Sequence, residues 1–307
     1  MNERSATLGG FAAILLWSST TLIMSFTASV PPILFLSMAN VASFSVLSTR
    51  WISKGTNPLP YFTDHPKILL WTMFGLGFQS LCLTYSIRMV PVVEANLINY
   101  LWPMLTVLAV SFLPDQKLRP EYLIGALIGF AGVVLVVQKD GGLMIDLEAG
   151  HFVAFTGAAA WAVYSAGTRL IKQHPGDYNT AAFLCNSVLL FCAHQVLETP
   201  WVFDFNIFLL IALLGTMSGA AYLLWDGAMK HGHAQIVSVA SNSMPLLSTL
   251  YLIGFGQAPF TPAVLGAALL ILFGTLLASQ EKLRAAFTKR RLKIKKETGL
   301  SGESDIP

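Results

Sequence analysis

Charge is what this sequence has least of. Only 11% of its 307 residues are Asp, Glu, Lys or Arg, whereas soluble domains carry roughly 25%. So few charges cannot dress a water-facing surface, which excludes a single soluble globule. Cysteine is sparse too: Cys82, Cys185 and Cys192 all fall inside apolar runs. Neither a disulfide framework nor zinc-site spacing results, so these read as small packing residues; no metal and no cofactor is expected. Apart from Glu94, near an outer end, no acidic residue lies well inside an apolar run. A charge at the bilayer centre costs roughly 2.5–3.5 kcal/mol on insertion scales, so proton and sodium pathways usually show as buried Asp or Glu. None is evident, and neither is a basic pocket for a phosphate-bearing solute. Strand-like segments with alternating polarity are missing as well, which argues against a transmembrane barrel.

Long hydrophobic runs are what the sequence has instead. It is 54% hydrophobic, with a mean hydropathy of +0.63. Ten spans read as transmembrane: 7–27, 32–51, 68–88, 92–113, 120–138, 151–171, 179–197, 206–226, 234–254 and 262–280. Runs of this length match a ~30 Å hydrocarbon core, and in lipid the backbone must satisfy itself, so the spans are expected to be helices. Pro- and Gly-containing linkers such as "NPLPYF", "PDQKLRP" and "QAPFTP" separate them. With both termini in the cytoplasm, 17 Lys and Arg fall inside and only Arg88 and Lys139 outside, a strong positive-inside pattern. The first span follows Arg4 but is too long for a signal-peptide core and has no A-x-A site, so it is kept as a helix. The basic tail, 282–307, is expected to fix topology and touch anionic lipid rather than bind nucleic acid.

The spans repeat. Laying the fourth over the ninth with an offset of 142 brings Pro103 onto Pro245, and "NYLWPMLTVL" then covers "SNSMPLLSTL". Trp17 pairs with Trp161, Tyr85 with Trp225, and Gly125 and Gly132 resemble Gly266 and Gly274. Each span matches the one five places later. Because five is odd, the second copy must enter from the opposite side, giving two inverted five-helix repeats, 1–140 and 141–281. Secondary transporters are commonly built this way, with cargo bound near the midplane between the halves. The fold expected is therefore an all-α integral membrane protein around a central cavity. Gly125 and Gly129 form a G-x-x-x-G read as packing within one monomer.

Span four also carries groups that lipid penalises. Asn96, Asn99, Tyr100, Pro103 and Thr106 share a face by helical spacing, and so do Ser238, Ser241, Asn242, Pro245, Ser248 and Thr249 in span nine. Each proline removes a helical hydrogen bond and frees the carbonyl four residues before it, here at Asn99 and Ser241. Such groups face either protein or water. Small polar residues also knit membrane helices together, but two stripes in register across an inverted repeat favour a lined cavity. Trp17, Trp161 and Trp225 sit inside their spans rather than at interfaces. Tyr85, Tyr100, Trp102, Tyr164 and Tyr222 join them, as does the amide of Gln79. Rings and amides together suit a flat, neutral or zwitterionic guest. Pro103 and Pro245 are candidate kinks, and Glu94 a candidate gate at the outer mouth.

At "NYLWPMLTVL" and "GGFAAILLWSSTTLI" the chain resembles the drug/metabolite transporter superfamily of EamA-like proteins, and within it the bacterial aromatic amino-acid exporters. The resemblance spans about residues 6 to 280. It implies a cavity shared by helices 1, 3, 4, 6, 8 and 9, with Trp17, Tyr85, Asn99, Tyr100, Trp102, Trp161, Tyr222, Trp225 and Asn242 at the matching positions. It further implies a small-molecule partner and residence in a bacterial inner membrane, with a monomer possible. One departure is "FLSMAN" (residues 35 to 40), where many members carry an arginine. Other neutral cargo on the same fold, a nucleoside or a drug, is the alternative; a polyamine would call for more acid than Glu94. An intramembrane enzyme is a weaker alternative, since "GTMSG" around Ser218 lacks a full protease motif and nothing marks His194 as its base.

Overall fold

The structure is a computed structural model that describes residues 2–113, 120–137, 147–168, 170–171, 177–232, 237, 240–278 and 280. Ser238, Lys139 and the basic tail lie outside the described residues.

Apolar runs set where helices form, and local residues set where they stop. Asn2 caps α1 (Glu3–Ser25), its side-chain oxygen accepting from the Ser5 amide at 2.8 Å. Pro32 opens α2 (Pro32–Lys54), and Gly55 ends it in the left-handed region at φ 58°, where a Cβ would be strained. A short α3 (Pro60–Thr63) leads into α4 (Pro66–Met73), a π-turn at Phe74–Phe78 and α5 (Gln79–Met89). Helix α6 (Val92–Asn99) is followed by α7 (Trp102–Ser111), with the chain broken at Tyr100 and Leu101 just before Pro103. Then come α8 (Pro120–Val137), α9 (Ala149–Thr168), α10 (Asp177–Leu197) and α11 (Phe205–His231). Asp204 caps α11 by accepting from the amides of Asn206 and Ile207. A 3-10 turn at Ser241–Ser243 precedes α12 (Met244–Gly254), and α13 (Pro262–Ala278) closes the bundle.

Five of these stretches are long and apolar enough to cross a membrane, including α1, α2 and α10; Pro120–Leu135 and Pro262–Leu277 are shorter apolar helices. The remaining predicted spans differ for physical reasons. Span four is divided at its proline, span nine is described only in part, and α9 is rich in Ala and Gly rather than large aliphatics.

Packing follows an exchange of each helix with the one five spans later. The α1–α11 contact has its counterpart in α9–α5, α2–α11 in α10–α4, and α1–α12 in α9–α7. The α2–α10 and α8–α13 contacts map onto themselves. This is an all-helical membrane fold of two inverted repeats. Glycine makes the close crossings possible: a Cβ on Gly274 would stand 2.5 Å from the Gly125 carbonyl oxygen, and one on Gly215 would stand 2.3 Å from that of Ala39. The Gly125/Gly129 motif is thus filled by α13 of the same chain.

Two faces of the bundle can be told apart. On the first, where α1 begins, Arg50 near the end of α2 meets Asp177 at the start of α10 and Asp226 near the end of α11. On the second, Glu198 after α10 accepts from the amides of Ile33 and Leu34 at 2.8 and 3.1 Å, covering the N-terminus of α2. Arg88, at the end of α5, donates there to the carbonyls of Thr27 and Val30 and lies 5.7 Å from the Phe35 ring. His151 and Glu94 pair on the same face at 2.8 Å, joining α9 to α6.

Candidate functional site

A cavity of about 620 Å³ runs through the middle of the bundle, within the ~300–1,000 Å³ range of small-molecule sites. Two groups of rings wall it, one from each set of exchanged helices. Trp17 of α1 stands edge-on to Tyr222 of α11 at 5.1 Å and tilts against Trp225 at 5.5 Å, with Phe183 of α10 at 5.6 Å from Tyr222. In the second group, Trp161 of α9 meets Trp102 of α7 edge-on at 6.1 Å and Tyr164 at 5.4 Å. The Tyr164 ring lies directly on Gly75, where a Cβ would approach it to 2.1 Å, so the glycine in the π-turn lets the ring take its place in the wall.

Amides and hydroxyls fill the gaps between rings. Gln79, the first residue after the π-turn, donates to the Asn99 side-chain oxygen at 3.0 Å. Both line the cavity, with Tyr100 and Ser241 from the two chain breaks. Tyr100 is tied to Ser248 through its hydroxyl. The breaks before Pro103 and Pro245 place Asn99, Tyr100 and Ser241 at positions where the helix stops, which turns them into the space rather than along a continuous helical surface.

Of the residues read from the sequence, Trp17, Gln79, Asn99, Tyr100, Trp102, Trp161, Tyr164, Tyr222, Trp225 and Ser241 lie on the cavity wall. Tyr85, Asn96 and Asn242 do not. Asn96 is fully buried between three helices, accepting from the Thr21 hydroxyl at 2.8 Å and donating to Ser248 at 2.9 Å. Tyr85 faces Glu198 at the second face. Asn242 is buried, at 8% exposure. The stripes therefore divide: one edge knits helices, as small polar residues do in lipid, and the other lines the space. Glu94 is held by His151, whose Nδ1 accepts from the Glu148 amide at 2.9 Å, so Nε2 carries the proton it donates. It does not touch the cavity.

Sequence reasoning missed part of the wall. Helices α2 and α10 contribute Asn40, Ser43, Asn179 and Thr180, and the charged residues Arg50 and Asp226 lie at the first-face end. A span ending at residue 226 puts Asp226 at the membrane edge; the helix in fact runs on to His231, more than a turn further. The small polar residues of α2 and α10 form no recognisable run, so only a view of the assembled helices reveals them. Beside Arg50 stands α3: Trp51 stacks on Tyr61 at 5.8 Å with 3° between planes, and the Tyr61 hydroxyl donates to Asp177 at 3.3 Å. Burial, then the Asp177 carboxylate, raise the Tyr61 pKa and keep that proton in place. At the opposite end Met24, Phe35 and Leu36 are buried. Ser218 also lines the cavity, while His194 is engaged by Glu198 at 2.9 Å on the second face.

Among the described residues no group of three or more His, Cys, Asp and Glu is placed to hold a metal ion.

Comparison with known proteins supplies the rest. The model of the EamA-like transporter family matches residues 4–138 and again 148–280. An aromatic amino acid exporter YddG of Ancylobacter novellus is 33% identical over 283 residues, covering 91% of this chain and 98% of the relative. The protein of the same name in Escherichia coli is 26% identical over 291 residues, covering 90% and 97%. A solved crystal structure with 31% sequence identity superposes with a TM-score of 0.68, covering 91% of this chain and 98% of the other.

Proposed function

The chain belongs to the EamA-like transporter family, and from that premise we propose that it exports aromatic and other neutral amino acids across a bacterial inner membrane by alternating access. The observation that carries this reading is the cavity itself, lined by two groups of rings together with amides. Flat side chains fit between rings, since aromatic pairs stack or meet edge-on at 4.5–7 Å. The amides of Gln79, Asn99 and the hydroxyls around them offer donors and acceptors to a dipolar guest without asking it to carry net charge. Relatives named for aromatic amino-acid export, similar along almost the whole chain, support the same cargo.

In this reading both termini are cytoplasmic, so the first face is the inner one, and the repeats 1–140 and 141–281 rock about the cavity. The proline breaks at 103 and 245 and the π-turn give the moving helices their joints. Substrate contact is assigned to the ten wall residues read from the sequence, and Asn96 to holding the frame on which they sit.

Reconstituted protein in liposomes tests this directly. Radiolabelled tryptophan and phenylalanine are expected to cross at a saturable rate that empty liposomes lack. Trp102→Ala and Tyr100→Ala are expected to abolish that flux while the protein still inserts. Saturable flux of a nucleoside but not of any amino acid would overturn the cargo, and running the assay with and without a pH gradient reads the coupling.

A further inference from the structure

The cavity holds a charged pair that the aromatic reading does not use. Among the described residues that line it, Arg50 and Asp226 are the charged ones. Arg50 Nη1 donates to Asp226 Oδ2 at 2.6 Å, and its Nε stands 3.8 Å from Asp177 Oδ1. The two side chains are 21% and 30% exposed, so water and solutes reach them. They also adjoin one of the ring groups. Asp226 follows Trp225 directly and lies four residues after Tyr222, one turn away on the same helix face, and both rings contact Trp17. A third group belongs here. Asn179, in the first turn of α10 and so at this same end, lines the cavity with a buried side-chain oxygen that has no hydrogen-bond partner among the described residues. Buried acceptors are normally satisfied, so an orphaned one on a cavity wall points to a donor that arrives with a ligand.

A pure latch would explain an ion pair at a mouth, but the two ends of the molecule differ. The arginine of the opposite end, Arg88, is spent on backbone carbonyls of Thr27 and Val30 and does not line the cavity. Among the described residues, Arg50 is the arginine that lines the space.

We propose that Arg50 and Asp226, with the Asn179 oxygen, read the dipolar head of the cargo: its carboxylate against the Arg50 guanidinium, its ammonium against Asp226 and Asn179, and its ring against the group formed by Trp17, Tyr222 and Trp225. This rests on the amino-acid reading above and deepens it. The chemistry matches group for group. Guanidinium presents five donors in a planar fork, so it has donors left for the cargo's carboxylate beside Asp226 and Asp177. An ammonium brings three donors for the acceptors facing it. A guest with both charges leaves the net charge of the site unchanged. One with a single charge leaves either the cation or the carboxylate without its added partner, which is how a site rejects near-isosteres.

Competition against radiolabelled phenylalanine in liposomes separates the outcomes. With the wild-type protein, phenylethylamine, which lacks the carboxylate, and phenylpropionate, which lacks the ammonium, are each expected to compete at least about tenfold more weakly than unlabelled phenylalanine. Arg50→Gln is expected to raise KM for phenylalanine and to shift relative competition toward phenylethylamine; Asp226→Asn should shift it toward phenylpropionate. These opposite shifts distinguish cargo recognition from a structural latch, whose loss would change all three ligands alike. If either variant fails to insert, the wild-type competition still decides. Equal competition by both truncated analogues, or variants with unaltered ligand ranking, overturns the proposal while leaving amino-acid export standing. Absence of any phenylalanine flux in the wild type overturns the parent reading instead.

Discussion

Asn96 and Asn99 sit three residues apart on one helix and end in different environments. Asn96 is sealed between α1, α6 and α12 by Thr21 and Ser248, whereas Asn99 accepts from Gln79 and lines the cavity. Their substitutions should therefore separate. Asn96→Ala leaves the Thr21 and Ser248 hydroxyls without their shared partner, and a lost buried partner costs about 1–3 kcal/mol. We expect a lower Tm in detergent, with KM for the surviving fraction little changed. Asn99→Ala removes a wall group and frees Gln79, so KM should rise while Tm holds. Thermal melts paired with flux assays check both. Spacing on a helix announced that these residues share a stripe; it could not say which would be claimed by Thr21, because that depends on how α1 crosses α6.

At the scale of elements, the breaks carry the prediction. Pro103 removes the hydrogen bond that would continue α6 into α7, and Tyr100 and Leu101 take up the turn. Pro103→Ala restores a donor and favours a continuous helix, worth ~3 kcal/mol of local helix preference. The outcome expected is a protein at least as stable by Tm but with transport reduced severalfold, measured as flux per inserted molecule. The π-turn responds to side-chain volume instead. Gly75→Val would drive two methyl groups into the Tyr164 ring, and overpacking of this kind costs roughly 1–3 kcal/mol; a drop in Tm together with lost flux is the expected readout. The proline break was legible because proline has one consistent effect on a helix. The π-turn was not, because "FGLGF" reads as an ordinary apolar stretch, and the extra residue per turn shows only when α4 and α5 are seen to need Asn186 and Tyr164 alongside.

For the whole molecule, hydropathy and parity made the architecture readable: apolar runs gave the helices, an odd repeat gave the inversion, and Pro103 over Pro245 gave the alignment. The cavity wall was legible where large rings stood out of place in lipid, as at Trp17, Trp161 and Trp225. It was illegible on α2 and α10, where Asn40, Ser43 and Asn179 are small, scattered and meaningful only beside their neighbours. Topology offers a test at this scale. In a background without native cysteines, cysteine at Asn99 or Ser241 is expected to react with a small water-soluble maleimide, and cysteine at Asn96 to stay protected. Protection at all three would seal the proposed path from water in every state.

The turn in α4–α5 carries one more consequence. A widened helical turn strands backbone carbonyls, yet the Asn186 amide of α10 donates to the Met73 carbonyl at 3.1 Å, so the irregularity is already solvated by protein. Flexing at such a joint swaps no hydrogen bond for bare hydrocarbon, the loss that makes bending elsewhere in a bilayer expensive. In the proposed rocking of the repeats, this segment would bend with a borrowed amide standing in for the water that lipid excludes.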